Sequence, residues 1–341
     1  MNRQLYNGVK SARLLFRNKW INTSLKLVFV LLLCIVMYNQ TLGRDNFFEI
    51  YATFKERLQE SESWYLIVAL LLMPVNWLLE TLKWKALVDP IEKVPLFRAI
   101  KGVMIGVSLS LFTPNRIGEY GGRILVVKPE NNVKTVVATI VGSFSQLVVL
   151  LVFGMIGTSY FVHLFLETPT LVEYGIGLTT VLGSIVLIFF YFNVDLAIPI
   201  FRRLPLLRRL VKHMEILRTY GTDLLMKALS YSFLRYLTYS VQYYLILCFF
   251  GIEIDLLVGL SAIATIFLIQ TSIPMPPISG LLVRGEVALN IWGFFQLNVI
   301  SILAATFGLW LINVILPALF GTIFILNINV LKSLGYDKEV D

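Results

Sequence analysis

Cysteine, histidine and charged residues are all scarce in this chain. It has two cysteines, two histidines and 15% charged residues, whereas charged residues make up about 25% of an average soluble domain. Cys34 and Cys248 both lie in apolar runs, which argues against a disulfide or a cysteine metal site. His163 and His213 lack the spacing of zinc ligands, so we expect neither a metal nor another cofactor. Long non-apolar stretches that could hold a soluble catalytic domain are also missing, so the sequence favours a protein that is not an enzyme and has no catalytic residues.

Apolar residues, in contrast, make up 57% of the chain. They are grouped in runs that approach the roughly 20 residues needed to cross a bilayer as a helix. This pattern predicts an all-α polytopic membrane protein with about six spanning helices. The expected spans are 21–39, 64–82, 136–157, 174–193, 229–250 and 299–326. The first run, from Leu25 to Tyr38, is not followed by a small-residue cleavage site, so we expect an anchor rather than a cleaved signal.

The net charge of +8 is concentrated in particular loops. The positive-inside rule explains that distribution better than a nucleic-acid partner does. Residues 1–20 are basic and predict a cytoplasmic N-terminus. Residues 21–326 are expected to form a single transmembrane domain, and residues 327–341 a cytoplasmic tail. The expected location is a bacterial cytoplasmic membrane, with multiple passes and both termini in the cytoplasm.

The stretch from Thr113 to Arg123, which reads T-P-N-R-I-G-E-Y-G-G-R, interrupts this apolar pattern. Ionisable residues at membrane depth are costly and usually functional, and this stretch contains Arg116, Glu119 and Arg123. Its expected helix-breaking residues are Pro114, Gly118, Gly121 and Gly122. A bilayer tolerates such a break only where protein or a wet cavity shields the backbone. The stretch therefore predicts a polar, non-helical site inside the protein.

Charge parity predicts the path of this segment. If residues 99–113 crossed the membrane completely, the basic loops 128–135 and 200–227 would lie outside and the loop 158–173, which has no Lys or Arg, would lie inside. A re-entrant hairpin over 99–127 places all three loops as the positive-inside rule requires.

A second interrupted region, 256–296, contains the stretch from Ile273 to Glu286, I-P-M-P-P-I-S-G-L-L-V-R-G-E. Its expected break and charged residues are Pro274, Pro276, Pro277, Gly280, Arg284 and Glu286. Parity cannot separate a hairpin from two crossings here, but the short second half favours a hairpin. Two broken segments at corresponding positions of the two halves predict an inverted repeat with a midplane site.

The motifs L-S-L-F-T-P-N-R-I-G-E-Y-G-G-R, P-x-P-P-I-S-G-L-L-V-R-G-E and E-T-L-K-W-K resemble the membrane part of lysylphosphatidylglycerol synthases. That part recurs alone in flippase-like membrane proteins, and the resemblance covers about residues 21–326. It implies translocation of a polar-headed lipid between leaflets. The first family motif falls on Pro114, Arg116, Gly118, Glu119 and Arg123, and the second on Pro274, Pro276, Gly280, Arg284 and Glu286.

Two departures from the family pattern matter. The cytosolic aminoacyl-transferase domain of the full synthases is missing from this sequence, so synthesis of a lysyl lipid is not implied. In addition, Ser143, Ser145 and Gln146 stand where many members carry charged residues, which leaves the headgroup open.

The expected substrate-binding residues are Arg116, Glu119, Arg123, Arg284, Glu286, Glu80, Arg235 and Gln146. The arginines suit a lipid phosphate because guanidinium binds phosphate oxygens bidentately. Alternatively, Arg116 and Arg123 pair with Glu119 and Glu286 and only hold the hairpin tips together. The two glutamates are also candidates for contact with a cationic headgroup or a coupling proton.

Two further residues have alternative positions. Glu80 either faces a cavity or forms an interfacial, snorkelling pair with Lys83. Arg235 either faces the cavity or reaches the cytoplasmic headgroups.

The leading hypothesis is a lipid translocase whose partner is an anionic or aminoacylated phospholipid or a lipid-linked precursor. One alternative is a polytopic enzyme acting on a lipid-linked substrate. Another is a membrane assembly protein that transports nothing. The sequence leaves open the lipid, the direction, the energy source and the oligomeric state.

Overall fold

The computed structural model describes residues 47–111, 113, 116–196, 198–199, 214–273 and 280–328. Within these ranges all regular structure is helical and no β-strand is present. Several sequence predictions lie outside the described residues. They are the span at 21–39, the N-terminus at 1–20, all but the start of the tail at 327–341, and Pro114, Pro274, Pro276 and Pro277.

The helices follow the apolar runs with short connections. They are α1 Phe47–Arg57, α2 Ser63–Val88, α3 Leu96–Ser110, α4 Gly118–Ile124, α5 Asn132–Phe165, α6 Thr170–Phe192, α7 Thr222–Phe249, α8 Leu256–Ser272, α9 Gly280–Trp292 and α10 Val299–Leu326. A π-helical turn, Leu311–Ile315, lies in the middle of α10.

Four of these helices, α2, α5, α6 and α10, are long and apolar enough to cross a membrane. They coincide with four of the expected spans. The span expected at 229–250 lies in α7, which has 28 residues but is more polar. Its polar groups are used inside the protein; for example, Gln242 Nε2 donates to the carbonyl oxygen of Ala69 at 2.8 Å. The chain is therefore a multi-pass helical membrane protein.

Helices α3 and α4 form an antiparallel pair in which backbone lies against backbone. A Cβ on Gly122 would collide with the backbone of Gly106, and one on Gly118 with the carbonyl group of Leu109. The prediction that Gly118, Gly121 and Gly122 break the helix is therefore wrong, because all three lie within α4. At Gly118 and Gly122 the missing side chain instead permits close helix approach.

The second interrupted region also contains two helices, α8 and α9, which contact each other. Gly280 is the first residue of α9. Helix α8 packs closely on α5, where Gly157 lies against Ala264, and α9 packs on α10 through Gly285 and Leu303.

The apolar side chains form two main cores along the long helices. The first core surrounds α3 and α4 and includes Leu87, Val103, Ala138, Leu225 and Ala318. The second core surrounds α8 and α9 and includes Ala69, Phe161, Ile246, Ile263 and Ile302. Helices α2, α5, α7 and α10 contribute to both cores. The pairs α3–α4 and α8–α9 therefore lie towards opposite ends of these long helices.

Candidate functional site

A layer of polar side chains lies between the two cores, at the middle of the long helices. Arg235 is 13 residues from the first residue of α7 and 14 from the last. Asn313 is 14 and 13 residues from the two ends of α10. A helix rises about 1.5 Å per residue, so each side chain is attached roughly 20 Å from either helix end. Asn76 of α2 and Gln146 of α5 belong to the same layer.

Glu80, one helical turn beyond Asn76 on α2, is the centre of a buried ion-pair network that adjoins this layer. Its carboxylate lies 2.7 Å from Lys83 Nζ, 2.8 Å from Arg123 Nη2 and 3.5 Å from Arg235 Nη1. Glu80, Lys83 and Arg123 are only 6%, 1% and 2% exposed. The network therefore joins α2, α4 and α7 through one carboxylate. It also shows that Glu80 and Lys83 do pair, but inside the protein, so the snorkelling interpretation is wrong.

A second carboxylate, Glu119, holds the connection between α3 and α4. Its two oxygens lie 2.7 Å from Arg116 Nε and 3.3 Å from Arg123 Nη2. Arg116 has φ of 58°, in the left-handed region that non-glycine residues seldom adopt and that often marks functional sites. The side chain of Arg116 is half exposed, so it is held at the edge of the network rather than within it.

Gln146 connects α5 to the same network without adding charge. Its Oε1 accepts from Arg235 Nη1 at 3.3 Å and from Lys83 Nζ at 3.5 Å. Its Nε2 donates to the carbonyl oxygen of Ser232 at 3.3 Å, and the hydroxyls of Ser145 and Ser232 are 2.7 Å apart. An amide at this position satisfies two cations but neutralises neither.

A cavity of about 270 Å³ opens beside this network. Its lining residues are Asn76, Trp77, Ser110, Leu111, Arg116, Gln146, Leu150, Arg235, Tyr236, Tyr239, Phe267, Gln270, Thr271, Ile273, Val283, Arg284, Trp310, Asn313 and Val314. Of these described lining residues, three are arginines, Arg116, Arg235 and Arg284, and none is acidic. Among the described residues Arg284 has no ion-pair partner. The site thus combines residues from both interrupted regions and presents positive charge to a partly open cavity.

Most of the residues predicted from the sequence meet here. Arg116, Arg235, Arg284 and Gln146 line the cavity, while Glu80, Glu119 and Arg123 form the adjoining network. The exception is Glu286, which is exposed on α9. It forms no ion pair within the described chain, so the alternative in which Arg116 and Arg123 pair with Glu286 is wrong, whereas their pairing with Glu119 is present. Arg235 lies at mid-helix with its guanidinium 5.2 Å from the Trp77 ring centre, rather than at the cytoplasmic headgroups.

Trp77 and Asn313 line the cavity but were not predicted as site residues. Asn76 Nδ2 donates to Asn313 Oδ1 at 2.8 Å, which links α2 to the π-helical turn of α10. The sequence contains a usable signal for Asn313, because it is an isolated amide within the apolar run of α10. Trp77 offers no comparable signal, since an aromatic residue in a spanning helix is ordinarily a packing residue.

These features define a polytopic helical membrane protein with a cationic cavity between two apolar cores. The family model for the lysylphosphatidylglycerol synthase TM region matches residues 24–321. The chain belongs to this family, which confirms the resemblance based on its motifs. Comparison with curated proteins and with solved structures gives no match.

Proposed function

We propose that this protein is a lipid translocase that moves a phospholipid or lipid-linked precursor, anionic or aminoacylated, between the leaflets of the membrane. The observation that carries the proposal is the cavity lined by Arg116, Arg235 and Arg284, at the level of the middle of the long helices. Arginine at that depth is costly unless it is paired or meets a ligand. A polar headgroup that crosses the membrane needs a polar binding site near the midplane that is shielded from the lipid tails.

In the proposed topology, α3–α4 and α8–α9 are re-entrant hairpins that enter from opposite faces. Helix α3 has 15 residues and α9 has 13, which is less than the roughly 20 needed to cross the hydrocarbon core. Each pair is packed in a different apolar core. With α7 and residues 21–39 as further spans, this gives six spanning helices, an inverted repeat and both termini in the cytoplasm.

The hairpins are proposed to gate the cavity. Arg116 at the α3–α4 connection and Arg284 on α9 both line the cavity, so each hairpin brings one cation to the same space. Movement of one hairpin and its core relative to the other would expose the site to one leaflet at a time. Alternating access through repeat motion around a fixed midplane site is the behaviour of many transporter folds.

The proposal can be tested in proteoliposomes with a headgroup-labelled phospholipid and a membrane-impermeant quencher. The wild-type protein is expected to expose inner-leaflet label faster than protein-free vesicles do. Arg284→Gln should remove most of this activity without loss of folding, because Arg284 has no ion-pair partner among the described residues. Arg98→Gln is the matched control, since it removes the same charge from an exposed position on α3.

Three results would contradict the proposal. Equal rates with and without protein would show that no translocation occurs. Equal rates for Arg284→Gln and wild type would separate the cavity from the activity and favour a purely structural role for the buried charges. Covalent change of the labelled lipid, detected by mass spectrometry, would favour an enzyme.

A further inference from the structure

We propose that the cavity selects a headgroup with net negative charge, a phosphate ester without a balancing amine, over zwitterionic and aminoacylated headgroups. This inference rests on the proposed translocase function and specifies its substrate class. It departs from the cationic lipid in the family's name.

The first support is the charge balance of the site. Among the described residues, the cavity and its network contain five cations, Lys83, Arg116, Arg123, Arg235 and Arg284, but only two carboxylates, Glu80 and Glu119. The formal excess is three positive charges. The stretches 112–115 and 274–279 contain no Asp or Glu, so neither of them supplies a missing counter-charge. An anionic ligand would offset this excess.

The second support is the set of hydrogen-bond donors that have no acceptor. Trp77 Nε1 and Arg235 Nε are buried without a partner in the described structure, although both residues line the cavity. Trp77 is only 5% exposed, so bulk water does not readily supply the acceptor. Buried polar groups are normally satisfied, and these two donors are not accessible from the cavity in this conformation. A phosphate oxygen would accept from them once the Trp77 and Arg235 side chains turn towards the cavity.

The third support is that neither buried carboxylate is free to hold an amine. Glu80 already contacts three cations and Glu119 contacts two. Glu286, the remaining acidic candidate from the sequence, is exposed and does not line the cavity. An added ammonium group would meet the arginines at close range in a low-dielectric space, where repulsion between like charges is strong. Specificity here therefore includes rejection of the cationic headgroup.

The experiment compares three lipids with identical acyl chains: phosphatidylglycerol, phosphatidylethanolamine and lysyl-phosphatidylglycerol. Binding of short-chain forms to the full-length protein in detergent is measured by calorimetry, and movement of the long-chain forms is measured in proteoliposomes. We expect phosphatidylglycerol to bind and move at least tenfold better than the lysylated lipid. Arg284→Gln should reduce this preference several-fold, whereas Arg98→Gln should leave it unchanged. Inorganic phosphate is included to separate a lipid headgroup from a soluble phosphate.

The outcomes distinguish this inference from the proposed function. If lysyl-phosphatidylglycerol moves as fast as phosphatidylglycerol or faster, the anion preference is refuted while the translocase stands. If none of the three lipids moves or binds, the translocase proposal fails and the inference fails with it. If inorganic phosphate binds as tightly as the anionic lipid, the assignment to a lipid is overturned. An unchanged preference in Arg284→Gln would refute the role of the cavity.

Discussion

Replacing Glu80 by glutamine tests how strongly the buried network stabilises the fold. The substitution keeps the shape of the side chain and removes the charge that faces Lys83, Arg123 and Arg235. The two close contacts, at 2.7 Å and 2.8 Å, are charge-assisted bonds worth about 1.5–3 kcal/mol each. Breaking a buried ion pair from one side costs about 3–5 kcal/mol, because the remaining charges stay buried. We therefore expect Glu80→Gln to lower the free energy of unfolding by about 3–5 kcal/mol.

The assay is unfolding in detergent micelles, followed by tryptophan fluorescence in a denaturant titration. Glu130→Gln is the control. It makes the same chemical change at a residue that lies exposed in the turn before α5. The double variant Glu80→Gln with Lys83→Met should recover part of the loss, since it also removes one of the uncompensated cations. If Glu80→Gln is as stable as Glu130→Gln, the network does not stabilise the fold and the reasoning is refuted.

Three further predictions concern local structure and use the same unfolding measurement. Gly122→Ala should lower stability by about 1–3 kcal/mol, because the added Cβ would meet the Gly106 backbone. Gly175→Ala is the control and should not lower stability, because nothing lies within 4 Å of that Cβ position. Equal losses in the two variants would contradict the packing argument. Arg116→Gly should be more stable than Arg116→Ala by about 1 kcal/mol, because φ is 58° there; the reverse order would show that the backbone conformation is not strained. Asp255→Ala should cost about 1 kcal/mol, since Asp255 Oδ1 accepts from the N–H groups of residues 257 and 258 at the start of α8, and Asp255→Asn should retain most of the stability.

The sequence predicts the spanning helices well because hydrophobic length is a local property. The runs at 64–82, 136–157, 174–193 and 299–326 all lie in helices of sufficient length. Whether Gly118 and Gly122 are helical, in contrast, depends on tertiary packing and not on the local sequence. A glycine in a helix and a glycine in a break look alike in one sequence, and only the nearby backbone of α3 distinguishes them. The helical state of Gly118–Ile124 was therefore missed.

In the candidate site, too, the local sequence identifies some residues, whereas their contacts depend on tertiary packing. The motifs single out Arg116, Glu119, Arg123 and Arg284, and all four lie in the cavity lining or its network. Helical periodicity shows which residues share a face with Glu80, but it cannot show which helix that face meets. The partners Arg123 and Arg235 are 43 and 155 positions away in the sequence, so their convergence depends on tertiary packing. The motif could not separate Arg284, which lines the cavity, from Glu286, which is exposed two residues later on α9 and meets neither Arg116 nor Arg123.

The mid-helix position of Arg235 also has a consequence for biosynthesis. An arginine at the centre of an isolated spanning helix disfavours insertion by about 2.5–3.5 kcal/mol. Helices α2 and α5, which provide Glu80 and Gln146, are synthesised before α7. In α2 the charge of Glu80 is balanced within the same helix by Lys83, 2.7 Å away. As a spanning helix of the proposed topology, α7 would therefore enter the bilayer most readily beside a nascent chain that already offers its acceptors. The order of the helices along the chain suits the order in which their charges must be matched.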